Sequence, residues 1–134
     1  LTEDGTGFAM AQSYIPEISD GDKRIILVDG ATPDYSLARV PGKDDNRGNL
    51  VMGATGELRE LTDRDRWICE QVGPELKRRG VMFAGLDVIG DYLTEVNVTS
   101  PTGIREIHKQ SGVNLAAELM DCIAREISAR RTAA

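Results

Sequence analysis

Apolar positions along this chain alternate between short strand-like runs and longer stretches repeating near every fourth residue. Leu1 to Gly7 is polar with two glycines and reads as a loop or a broken strand end. Phe8 to Ile15, FAMAQSYI, reads as a strand that Pro16 stops. A turn cluster covers Glu17 to Asp22, and Lys23 to Val28 is a second strand. Asp29-Gly30 is a hairpin signal, and Ala31 to Arg39 is a third strand. The spacing predicts an antiparallel meander.

Val40 to Gly56, VPGKDDNRGNLVMGATG, breaks the pattern with four glycines and a proline in 17 residues. A connection this long inside a compact domain is functional or disordered more often than structural. It is not a phosphate-binding loop of the Walker type, since no Gly-Lys-Ser/Thr closes it. Helical periodicity begins after Thr62, which with Asp65 has the spacing of a capping pair. Ile68, Val72 and Leu76 repeat on one face, Gly80 stands at the C′ position, and Pro74 predicts a kink or break. A hairpin is expected over Val81 to Val98, and a short helical turn over Gly103 to Gln110. Asn114 caps a last helix, with Leu115, Leu119, Ile123 and Ile127 on one face. The fold class that follows is α+β, an antiparallel sheet with flanking helices.

Composition narrows the function classes. The chain has 134 residues, enough for one domain or a piece of one. A net charge of −6 and 4% aromatics argue against a nucleic-acid binder, which needs a basic face or stacking platforms. No apolar run is long enough to span a membrane. Cys69 and Cys122 are too few for a zinc site and read as reduced core residues of a cytoplasmic protein. His108 reads as a solvated helix residue. The start at Leu1, without Met, suggests an excerpt of a longer protein.

Chemistry concentrates in the hairpin. Glu95 and Asn97, two apart on a strand, share a face, and Asp87 lies on the partner strand. Oxygen-bearing side chains gathered in this way suit a hard cation such as Mg²⁺. Register decides whether Asp87 joins them. A two-residue turn at Gly90-Asp91 puts Asp87 opposite Thr94; a three-residue loop, Gly90-Asp91-Tyr92, puts it opposite Glu95. Turn chemistry favours the shorter loop. Without a metal the hairpin is a half-exposed pair of strands with scattered polar residues.

The stretches AQSYIPEISDGDKR, LARVP…RGNL, GLDVIGDYLTEVNVTSP and the following IRE carry a resemblance to the C-terminal part of bacterial glutathione synthetase, an ATP-grasp ligase. The resemblance implies that residues 1–134 are the C-terminal portion of an ATP-grasp domain. The N-terminal substrate domain and the first part of the ATP-grasp region, with its phosphate-contacting lysines, would lie elsewhere. It implies ligation of γ-glutamylcysteine and glycine through an acyl phosphate, with ATP as co-substrate and Mg²⁺ (or Mn²⁺) as the metal, in a cytoplasmic homo-oligomer. These residues alone are then expected to be inactive.

Residue by residue, the resemblance places the metal on Asp87, Glu95 and Asn97 and so favours the three-residue loop. Gln12, Ser13, Tyr14 and Ile15 match the adenine-binding hinge, and Asp22 a ribose or nucleotide contact. Arg24 and Arg39 match catalytic arginines facing phosphate and substrate. Val40 to Gly56 matches a mobile lid carrying Arg47, and Ser100 and Thr102 lie near the peptide substrate together with Arg39 and Arg47. The alternatives are another ATP-grasp carboxylate–amine ligase, such as one adding glutamate to a protein tail, and a non-catalytic nucleotide-binding module. As alternatives, Arg24 could be a surface strand residue, and Arg39 could pair with nearby carboxylates.

Overall fold

The structure is a computed structural model that describes residues 4–40 and 55–132. Five antiparallel strands form one sheet: β1 (Asp22–Val28), β2 (Tyr35–Val40), β3 (Thr55–Glu60), β4 (Phe83–Ile89) and β5 (Tyr92–Asn97). Their spatial order is β3-β2-β1-β4-β5. Helix α1 (Asp63–Arg78) packs on one face, while α2 (Ile104–Ser111) and α3 (Leu115–Thr132) pack on the other. The α+β class expected from the periodicities is the one observed.

Alternation along β1 divides the core in two. Ile25 and Leu27 point toward α1 and meet Ile68, Cys69 and Leu76, with Leu86 and Val88 from β4. Ile26 and Val28 point the other way and meet Leu37, Ile107, Leu115 and Cys122. Arg24 and Asp22 continue this second face by the same period of two. The second face is therefore apolar under α2 and α3 and polar where β1 begins, and the polar half carries the site.

Local chemistry explains the elements. Thr62 caps α1 by accepting from the Asp65 amide, while the Asp65 carboxylate accepts from the Thr62 amide, a reciprocal capping box. At the other end Val81 N–H donates to the Leu76 carbonyl and Gly80 N–H to that of Lys77, the Schellman pattern with glycine at C′. Asp29 and Gly30 both adopt positive φ, and Ala31 N–H closes the turn on the Val28 carbonyl at 2.9 Å, as an Asp-Gly hairpin turn requires.

Several expectations need correction. Phe8 to Ile15 is not a strand: it has no regular secondary structure, pairs with no strand among the described residues, and leads through an extended Ile15 into a 3-10 turn at Pro16–Asp20. Strand propensity without a ladder partner makes no strand. The third strand begins at Tyr35, not Ala31, because Pro33 has no N–H to give the ladder. Strand β3 was not anticipated. Helix α1 continues unbroken through Pro74; the residue before it is Gly73, whose missing Cβ removes part of the clash that drives pre-proline residues out of the helical region. On α3 the buried residues are Leu115 and Cys122, and Ile127 is 52% exposed. The expected lid, Val40 to Gly56, lies for residues 41–54 outside the described residues.

Cys69 and Cys122 are free and buried, and burial pushes the Cys69 thiol up to about 12. A thiolate is the reactive form. A thiol reagent at pH 8 is therefore expected to label neither cysteine in the folded chain and both after denaturation. Stoichiometric labelling of the native chain would contradict this packing.

Candidate functional site

A cleft of about 920 Å³ opens at the polar end of the second sheet face. One wall is the segment Gln12–Ile15 with Glu17 and Ile18. The opposite wall is the β4–β5 hairpin, through Ile89, Tyr92, Leu93, Thr94 and Glu95. Asp22 and Asp87 also line it. Sequence reasoning did not single out Glu17, Ile18, Ile89 or Thr94. The apolar ones were legible only as core candidates.

The hairpin resolves the question of register in a way neither alternative described. Ile89 faces Tyr92 and Val88 faces Leu93, so the turn is the two-residue Gly90-Asp91. Gly90 has φ +55 and Asp91 no positive φ, as a type II′ turn requires. The three-residue loop is thus corrected. Yet Asp87 does face Glu95, because a bulge between Asp87 and Val88 admits Thr94 as an extra residue in β5. Beyond the bulge Asn97 faces Gly85, so Asp87, Glu95 and Asn97 share the cleft side of the sheet.

Register also brings the arginines to Asp87. Arg24 on β1 pairs directly with Asp87, and Asp22 with Arg39 on β2. Arg24 holds Asp87 with two prongs: Nε donates to Oδ1, and Nη2 to Oδ2 at 2.8 Å. Arg24 Nη1 reaches the Thr102 carbonyl at 3.4 Å. Arg39 Nη2 is shared between Asp22 Oδ2 and Asp87 Oδ2, the latter at 2.9 Å. Gly85 makes room for this packing, since a Cβ there would lie 2.6 Å from that of Pro101 and 3.1 Å from Arg24 Cδ.

The two carboxyl groups answer differently to the same surroundings. Burial pushes Asp87 up, but the hydrogen bonds from Arg24 and the charge of Arg39 outweigh it and leave the group below the ordinary carboxylate range. Burial dominates at Asp22, where Arg39 compensates in part and Asp87 adds repulsion, raising the group to about 6. Asp22 Oδ1 and Arg39 Nε are buried with no hydrogen-bond partner among the described residues.

The expected site residues therefore divide. Gln12, Ser13, Tyr14, Ile15, Asp22, Asp87 and Glu95 line one cleft. Arg24 and Arg39 lie behind its Asp87 wall, engaged with carboxylates. Asn97 Oδ1 accepts from the amides of Thr99 and Ser100 at 3.1 and 3.3 Å, so it shapes the loop that carries Ser100 and Thr102. Those two residues are not on the cleft wall, and Arg47 lies outside the described residues.

As a seat for a hard cation the donor set fits in kind. Among the described residues no group of three or more His, Cys, Asp and Glu is placed to hold a metal; the third donor here is an amide oxygen. Asp87 accepts three contacts from arginines, and a carboxylate has about four acceptor sites. Glu95 is exposed and directed to the same face.

Comparison with known proteins gives a consistent result. The family described as prokaryotic glutathione synthetase, ATP-grasp domain, matches residues 1–112. A glutathione synthetase of Coxiella burnetii is 61% identical over 120 residues, which is 90% of this chain and 37% of that protein. Those of Xanthomonas campestris pv. campestris and Pseudomonas putida are 61% and 57% identical, over 92% and 97% of this chain and 39% and 41% of their own lengths. The chain thus spans about two fifths of the length of these relatives.

Proposed function

This chain belongs to the prokaryotic glutathione synthetase ATP-grasp family, and from that premise we propose that it supplies the nucleotide- and metal-facing part of an enzyme joining γ-glutamylcysteine to glycine at the expense of ATP. The observation that carries the reading is the cleft: one wall is the Gln12–Ile15 segment, the other presents Glu95, and Asp22 and Asp87 also line it. In the proposed assignment Gln12 to Ile15 hold the adenine and Asp22 the ribose. Ile15, Ile18 and Ile89 supply the apolar surface that a purine requires.

The proposed reaction passes through an acyl phosphate of the dipeptide, which the glycine amine then displaces. Asp87, Glu95 and Asn97 would hold Mg²⁺, with Mn²⁺ as a substitute, and the ion would neutralise phosphate charge during transfer. The chain's own part is positioning. Arg24 fixes Asp87 through its forked donor edge. Arg39 already has one Nε–H without a partner and bridges two carboxylates, which suits it to receive a phosphate or carboxylate oxygen of the substrates. Ser100 and Thr102, on the loop that Asn97 shapes, are assigned to the peptide substrate with Arg39 and Arg47. We place the enzyme in the cytoplasm. Two free, buried cysteines suit a reducing compartment, and no helix among the described residues is long and apolar enough to cross a membrane.

The test is a coupled assay on the protein that carries this chain, supplied with Mg-ATP, γ-glutamylcysteine and glycine. Equal amounts of ADP and glutathione are expected. ADP released only with another amine acceptor would replace the substrate assignment. No ADP with any acceptor would remove the ligase reading.

A further inference from the structure

The Thr94 bulge is what reconciles a two-residue turn with a Glu95 that faces Asp87. A regular ladder from Ile89–Tyr92 onward would set Thr94 opposite Asp87 and turn Glu95 and Asn97 toward the α1 side. With the extra residue, Tyr92, Glu95 and Asn97 share the cleft side. Leu93 and Val96 go to the α1 side.

Two forces could hold that arrangement. One is burial of the apolar stripe, but it is weak here, since Leu93 and Val96 are 37% and 41% exposed. A register is poorly specified where neither face is well buried. The other is local. A bulge disrupts the ladder beside it, and here the Thr94 hydroxyl donates to the Asp87 carbonyl at 3.0 Å. That carbonyl belongs to a residue 5% exposed, so an acceptor left open there is costly. The bond ties the extra residue to the partner of Glu95.

We propose that Thr94 is a positioning residue: its hydroxyl locks the bulge and thereby aims Glu95 at Asp87 across the cleft face. The consequence for metal binding rests on the assignment of Glu95 and Asp87 given above, while the consequence for register does not.

The experiment uses the protein that carries this chain, as wild type and two variants, with Mn²⁺ as the probe. Thr94→Val keeps the β-branched shape and removes the hydroxyl; Thr94→Ser keeps the hydroxyl. Cross-strand NOEs report which β5 residue faces Asp87, and EPR of free Mn²⁺ reports binding. In Thr94→Val the Asp87–Glu95 contact is expected to weaken in favour of a contact with residue 94. Its Mn²⁺ dissociation constant is expected to rise by about 10-fold or more, the size seen when a group that orients a metal ligand is lost. Thr94→Ser is expected to restore both. Thr94→Val with wild-type register would overturn the proposal, whatever its Mn²⁺ affinity. A register shift in a chain whose wild type binds no Mn²⁺ would uphold the role of Thr94 and remove the metal assignment instead.

Discussion

Asp87→Ala is expected to lower the stability of the chain by about 3–5 kcal/mol, the cost of removing one partner from a buried ion pair. Asp87 and Arg24 are each 5% exposed. Without the carboxylate, and among the described residues, Arg24 keeps the long contact to the Thr102 carbonyl and Arg39 keeps Asp22. A buried guanidinium would then stand without its counter-charge. Replacing both members, as in Arg24→Met with Asp87→Leu, is expected to recover much of the loss, because neither charge then needs solvation. The sign with pH follows from the lowered Asp87 group. Its contribution is full above the range in which an unfolded aspartate titrates and is lost as pH falls through the folded value, so the gap between wild type and Asp87→Ala should narrow in acid. Urea unfolding at pH 7 and in acid measures both. A difference under about 1 kcal/mol at pH 7 would mean that the pair is as weak as an exposed one.

The same cluster separates what the sequence could specify from what it could not. The capping box at Thr62 and Asp65, the glycine at Gly80 and the turns at Asp29-Gly30 and Gly90-Asp91 are local, and local chemistry was enough to read them. The neighbourhood of Arg24, Arg39 and Asp87 depends on strand register across three strands, which no local spacing encodes. The resemblance to a known family named these residues, but as phosphate- and metal-facing groups rather than as partners of one another. Strand β3 escaped notice because Glu57, Arg59 and Glu60 leave only Leu58 to mark an inward face. The Thr94 bulge did leave a trace, since Leu93 and Val96 share a face at a spacing of three, which a period of two forbids. The stripe proposed for α3 failed by geometry. At about 100° per residue, steps of four drift by about 40° each, so Ile127 lies about 120° from Leu115 while Cys122 stays within about 20°. The described structure buries Cys122 and leaves Ile127 out.

Glu95→Gln is expected to leave stability unchanged within about 0.5 kcal/mol and to lower turnover in the proposed ligation by roughly 10²–10³-fold, the range reached when one preorganised electrostatic partner of a transition state is removed. Glu95 faces Asp87 on the same side of the sheet, but its position is exposed. It belongs to an edge strand and is not a member of the Arg24–Asp87–Arg39 ion-pair set. Removing its charge relieves a like-charge cross-strand contact with Asp87 but also gives up an attraction to Arg24, so the two effects on the fold offset each other. The amide keeps one oxygen of similar reach, so the shape of the cleft wall is retained while a negative charge is lost. Under the proposed assignment that charge helps to hold Mg²⁺, and the defect should appear as a higher Mg²⁺ requirement and a lower turnover at saturation. Thermal unfolding and Mg²⁺ titrations of activity, run side by side, separate the two effects. Asp87→Ala should fail in both measurements and Glu95→Gln in one. Turnover equal to wild type at saturating Mg²⁺ would show that Glu95 does not act on the transferring phosphoryl group. The shared face of Asp87 and Glu95 would then be a matter of folding alone.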